Sequence, residues 1–283
     1  MNITDKQKKL LEHVQVNIPF RMLVESYLNL FTVNRINPEI GIDADVLENF
    51  ERSDFEKIAD ALSVNRPRIT LHGPFIDLSA GSKDPRIRSI THLRLEQLLE
   101  LVPIFKPVTV VCHAGYDAKR YAFFKEEWIQ NSLDVWSWFA GQLNKQGVHL
   151  MLENVYEHDP SEMLVLLNEL KSKHVGLCLD TGHLWSFGKS TTTVWLDALG
   201  EYIGQFHLHD NDGTFDQHLG LGSGNIDFEP VWNYLKSREN NPPIITLEPH
   251  QKEDLLKSLA YLEYYADLLI GNRSPTPLTR GEA

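Results

Sequence analysis

Residues 175–183 read VGLCLDTGH. Five small or apolar residues are followed by a carboxylate, a threonine, a glycine and a histidine. The apolar run has the length and composition of a strand covered on both faces, as strands of parallel sheets are. Asp180 and His183 then fall about one turn apart at a strand-to-helix junction, where both side chains reach the same face. Outward in both directions the same grammar recurs, short apolar or β-branched runs alternating with stretches of helical period. The expected strands are 13–18, 38–42, 68–71, 108–112, 148–152, 175–179, 204–208 and 244–247. The expected helices include 87–102, with the stripe Leu95, Leu98, Leu99 and Val102 stopping at Pro103, and then 123–143, 161–170, 193–199, 228–235 and 252–269. Eight strand–helix units without a Pro/Gly/Ser-rich linker predict an α/β protein, a single (β/α)8 TIM barrel over residues 1–270 with an exposed tail over 271–283. The first two units carry the weakest signal, since residues 33–47 mix helical and strand features.

The chain has 283 residues, 27 Lys plus Arg against 39 Asp plus Glu, and a net charge of −12. No bulk positive field exists to gather nucleic acid or an anionic membrane, so an anionic substrate must be held locally. Cys112 and Cys178 sit in apolar surroundings (VVCHA, GLCLD), and the charged start MNITDKQKKLLEH has no apolar signal region. A reduced, cytoplasmic chain without a disulfide is expected. No apolar run approaches the roughly 18 residues of a membrane span.

In a parallel barrel the active site forms at the C-terminal ends of the strands. Here those ends carry metal-ligand types: His72 in ITLHG, His113 in VVCHA, Glu153 in LMLEN, Asp180 and His183 in LCLDTGH, His207 and His209 in QFHLHD, and Glu248 in ITLEP; the loop after the seventh strand adds Asp216 and His218 in DQH. One histidine at one strand end is more often a packing residue. Six consecutive strands aiming such groups at one small volume is a different matter. Glu153, Asp180, Asp216 and Glu248 gathered in a desolvated mouth would be driven to take up protons unless cations neutralised them. Mixed nitrogen and oxygen donors without thiolate suit Zn, Mn, Fe or Co rather than Ca or Mg, with one to three ions. His207 and His209 share strand parity; one is expected to be a ligand and the other to orient it or to be structural. Gly220, Gly222 and Gly224 in HLGLGSGN offer a tight turn whose amides could receive an anion, ahead of a helix capped by Asp227. Trp128 and Trp136 share a helix face and are expected to pack; Trp185, beside DTGH, is as fit to line the pocket as to pack. No GxGxxG, GxxxxGK[ST] or GxSxG motif is present.

Taken together, LHG, CHAG, LEN, GLCLDTGH, HLHD, DQHLGLGSGNIDF and LEP resemble the xylose-isomerase-like TIM-barrel superfamily, which holds sugar and sugar-phosphate isomerases and epimerases as well as endonuclease IV. The resemblance runs from about residue 69 to 249. It implies a four-ligand site of Glu153, Asp180, His207 and Glu248, and places the further metal ligands of the endonuclease branch at His72, His113, His183, Asp216 and His218. This chain departs from that branch at LENVYEHD, at Gly182 where a cysteine is the rule, at HLHDND in place of HLND, and across HVQVNIPFRMLVES. The expected activity is therefore a metal-dependent sugar or sugar-phosphate isomerase or epimerase, proceeding through a metal-stabilised enediolate, with Glu153 and Glu248 as the catalytic acid and base. The alternative is an endonuclease IV-like metal-cluster hydrolase of abasic-site DNA. The expected partner is a small sugar or sugar phosphate, with neither membrane nor nucleic acid; a homo-oligomer is left open.

Overall fold

A computed structural model describes residues 3–238 and 241–271. Its strands are β1 Gln15–Pro19, β2 Asn37–Gly41, β3 Thr70–His72, β4 Thr109–His113, β5 His149–Glu153, β6 Val175–Asp180, β7 Ile203–Leu208 and β8 Ile244–Leu247. All pair in parallel and in sequence order, and β8 closes on β1, giving the eight-stranded barrel the alternation predicts. The weakly signalled region resolves into a helix Leu28–Asn34, then β2, then a helix Ala44–Asn49 capped by Asp43, which accepts the Val46 amide at 2.7 Å. The expected tail lies, from residue 272 on, outside the described residues.

Strand parity divides the molecule. One parity of each strand, such as Val110, Leu150, Leu152, Leu177, Leu179 and Phe206, is buried in the apolar layer between strands and helices. The other parity faces the barrel axis, where Val111, Met151 and Cys178 form a small apolar cluster under the ends of β4 to β6 and the remaining upper positions are polar. Gln205 of β7 reaches Thr109 of β4 at 2.8 Å and Glu39 of β2 at 2.5 Å, contacts between non-neighbouring strands that must cross the interior. Register then aligns the strand ends: His113 lies opposite Glu153, and Asp180 opposite His207.

One expected boundary is corrected. The helix 87–102 does not stop before Pro103 but runs Pro85–Phe105, ending where Lys106 turns left-handed at φ 49°. A proline two residues from the end removes one backbone bond near the terminus, which the burial of Leu101, Val102 and Phe105 offsets. Trp128 and Trp136 are buried as expected, while Trp138 stacks on His92 of the preceding helix with centroids 3.6 Å apart. Asp227 accepts the Glu229 amide at 3.0 Å at the start of the helix Glu229–Ser237. Among the described residues no helix is long and apolar enough to cross a membrane.

Candidate metal centre

Because inward parity falls on the last residue of β3 to β6, on His207 of β7 and on Glu248 just past β8, these side chains meet in one bowl at the strand ends. Glu153 is its hub. Its Oε2 lies 3.0 Å from His72 Nε2 and 3.4 Å from His113 Nε2; its Oε1 lies 3.3 Å from His183 Nδ1 and 3.2 Å from His207 Nδ1. His207 Nδ1 is also 3.1 Å from Glu248 and 3.9 Å from Asp180. On the far side, Asp216 from the loop after β7 lies 3.0 Å from His218, 3.4 Å from His183 and 3.6 Å from His209. All nine residues read as metal ligands from the sequence are thus brought to one place.

The donor set fits divalent ions. Four groups have donor atoms within 4.8 Å of one another: His72–His113–Glu153, Glu153–Asp180–His207–Glu248, Asp180–His183–His209 and His209–His218–Glu248. Asp216 belongs to none of these groups and instead bridges three of their imidazoles. Among the described residues every ion pair made by Glu153, Asp180, Asp216 and Glu248 is with a histidine, never with Lys or Arg. Buried carboxylates of this number need positive charge. Without metal, protons on imidazole supply it: burial opposes charging His183 and His207, yet Asp180 foremost for His183, and Cys178 followed by Glu248, Glu39 and Glu153 for His207, push both well above the ordinary histidine range. His113, by contrast, is driven down by burial to about 3, leaving a neutral ring with a free lone pair. Burial, with Glu153 and Asp180 nearby, raises Glu248, whereas His207 and His113 outweigh burial at Glu153 and lower it.

Beneath the bowl lies a layer the sequence reading missed. Glu39, fully buried, has one oxygen 2.9 Å from His207 Nε2 and accepts from Asn17 at 3.2 Å; its other oxygen accepts from Thr70 at 2.9 Å and Gln205 at 2.5 Å. Asn17 also donates to Glu248 at 3.1 Å. These contacts fix His207 with Nε2 toward Glu39 and Nδ1 toward the bowl, the arrangement by which an outer carboxylate orients a ligating imidazole. Their signal was inward parity one layer below the strand ends.

The glycine-rich loop is also corrected. Its amides face an anion, but the anion is internal: Asp210 accepts Gly222 N at 3.0 Å and Gly224 N at 2.9 Å through Oδ2, and Ile226 N at 3.1 Å and Asn211 N at 2.9 Å through Oδ1. Gly222 is required here by its φ of 77°. The loop therefore offers those amides to no phosphate. Asp210→Ala should orphan them and cost roughly 2–4 kcal/mol, since bonds to a charged acceptor are worth ~1.5–3 kcal/mol each but are not additive. A fall in Tm of several degrees by calorimetry checks this, and an unchanged Tm would contradict it.

At the rim, Phe75 stacks on His113 with centroids 4.2 Å apart, and Phe187 lies 5.9 Å from His183. Trp185 is 45 % exposed and so is not part of the core; its indole lies beside Gly213 of the loop after β7.

A probable endonuclease 4 of Mycobacterium leprae is 26% identical over 212 residues, covering 70% of this chain and 80% of that one. A Thermus thermophilus protein whose crystals were soaked with zinc chloride superposes with a TM-score of 0.76 at 25% identity, over 93% of this chain and all of that one. A D-tagatose 3-epimerase-like protein shares the fold with a TM-score of 0.75 at 24% identity, over 90% of this chain and 98% of that one. The sequence model described as xylose isomerase-like TIM barrel matches residues 38–265, from β2 to past the helix Lys252–Leu262, so the strand ends that build the bowl all fall inside a shared pattern, and the chain belongs to the xylose isomerase-like TIM barrel family.

Proposed function

We propose that the protein is a divalent-metal-dependent isomerase or epimerase of an uncharged carbonyl sugar. The observation that carries this reading is the meeting of Glu153 and Glu248, from strands three apart in the barrel, on a single imidazole nitrogen, His207 Nδ1, at 3.2 and 3.1 Å. Two carboxylates converging from separated strands can flank one small substrate. Glu153, Asp180, His207 and Glu248 would hold the ion, which when bound polarises a carbonyl and its neighbouring hydroxyl. One of the two glutamates takes the carbon-bound proton, and the other returns it to the opposite face or to the adjacent carbon. Asn17, bonded to both Glu39 and Glu248, positions Glu248 for this exchange. Phe75, stacked on His113, offers an apolar face at the rim, as small-molecule pockets generally do. The filled glycine loop and the absence of Lys and Arg from the ion pairs of the bowl, among the described residues, support a neutral sugar over its phosphate.

The test is deuterium incorporation from heavy water into a panel of ketopentoses and ketohexoses, followed by NMR on protein loaded with Mn²⁺ or Zn²⁺. Exchange should stop on adding a chelator and return on restoring metal. No exchange with any ketose by the loaded protein would overturn the reading.

One observation favours the second reading, phosphodiester hydrolysis by a metal cluster. His72 and His113 on Glu153 Oε2, and the groups around His209 and His218, exceed what a single ion needs. The M. leprae relative, matched over 80% of its length, is named a probable endonuclease 4. Incision of an abasic-site oligonucleotide by the zinc-loaded protein, without ketose exchange, would put this reading first.

A further inference from the structure

We infer that His209 is a further metal donor of this chain, and that residue 182 is glycine because the His209 ring fills the space a side chain would need. The inference rests on the bowl being a metal centre and adds a donor, the corner it serves and the residue that admits it. His209 is the member common to both donor groups at this end of the bowl, Asp180–His183–His209 and His209–His218–Glu248. Its Nε2 lies 3.2 Å from Asp180 and 3.6 Å from Asp216 Oδ1. The residue is 1 % exposed. Two buried polar atoms at this corner, His209 Nδ1 and Asp216 Oδ1, have no hydrogen-bond partner among the described residues. A buried acceptor left so costs roughly 1–3 kcal/mol, and a cation shared by the Asp216 carboxylate and the surrounding imidazoles relieves it.

The ring is held at its corner by stacking. His218 stacks on it with centroids 3.8 Å apart and planes 8° apart, and His250 stacks on His218 at 3.9 Å and 14°. A Cβ at residue 182 would stand 1.9 Å from His209 Cε1, which no real side chain can do without moving the ring. Gly182 and the second histidine of HLHD, two separate departures in the sequence, are therefore one packing event: the larger group at 209 requires the missing one at 182. A ligand so confined is oriented before any ion arrives, which is what a metal site demands of its donors.

Zinc alone is the probe. Protein stripped with chelator and reloaded with ZnCl₂ is assayed for zinc per chain by mass spectrometry, and for affinity by competition with a chromophoric chelator. His209→Asn should keep the tighter ions and lose one zinc, or bind it at least about tenfold more weakly. Gly182→Ala should lose that same zinc, because its Cβ displaces the ring. The double variant should match His209→Asn alone, the non-additivity expected of residues acting through one contact. His209→Asn with the zinc number and affinity of the natural chain would overturn the proposal and leave the metal centre standing. A natural chain that takes up no zinc would remove the metal reading, and this proposal with it. Melting in EDTA controls for folding: any loss of Tm in Gly182→Ala should be recovered in the double variant, and failure to recover would refute the contact argument.

Discussion

Glu153→Gln should leave a folded protein that no longer holds its full complement of metal and exchanges substrate protons about 10²- to 10⁴-fold more slowly, the range that positioned acid–base groups supply. The expectation follows from the position of the carboxylate. Four imidazoles approach its two oxygens within 3.4 Å, and it belongs to two of the donor groups of the bowl. The amide removes the negative charge and turns one oxygen into an N–H donor, which cannot share an ion. Metal counts and heavy-water exchange on the same sample check both halves. A variant with natural zinc content and natural exchange would exclude Glu153 from the chemistry altogether.

Glu39→Ala should produce the largest loss of stability of any single change in the barrel interior. Removing one partner from a buried hydrogen-bonded charge network costs about 3–5 kcal/mol, and here Asn17, Thr70, Gln205 and His207 would all lose their acceptor. At roughly 2–4 °C of Tm per kcal/mol for a chain of this size, the fall should be on the order of 10 °C. Metal affinity should weaken about 10- to 100-fold as well, since His207 loses the group that orients it. Acid adds a separate signature. Burial works to raise Glu39, but His207 outweighs it and holds the carboxyl at about 2, below its ordinary 4.5. A depressed acid stabilises the fold fully above its unfolded value and gives that stability up as the pH falls toward its folded one. The natural chain should therefore lose Tm relative to Glu39→Gln as the pH falls from 4.5 toward 2, and parallel Tm profiles would contradict this.

The sequence carries the barrel because parallel strands hidden on both faces must be apolar runs, and runs such as VVCH and LCLD have no other good interpretation. It carries the bowl because strand ends are where such barrels place function. It hides the layer below for a related reason. Asn17 and Glu39 are polar residues in strand interiors, and with Pro38 they blur the pattern in the two units whose signal is weakest. The residues that support the site thus weaken the evidence for the strands that carry them, a conflict between local pattern and global fold typical of functional positions. The glycine-rich loop misleads differently. Its conformation is legible, but whether its amides are free depends on Asp210, up to 16 residues away along the chain. Parity alone sends both His207 and His209 inward, and the resemblance selects only His207; the space over Gly182 shows that the second ring has a place of its own.

The filled loop has one more consequence. Residues 210–226 form a flap fastened at both ends to a single side chain, and Asp216 and His218 ride on it. His218 even holds a left-handed backbone, φ 52°, that a free segment would abandon. The Asp210 carboxylate acts as a latch: the entropy of ordering these two groups is met during folding, so an ion bound in the proposed centre would find them already in place instead of having to recruit them.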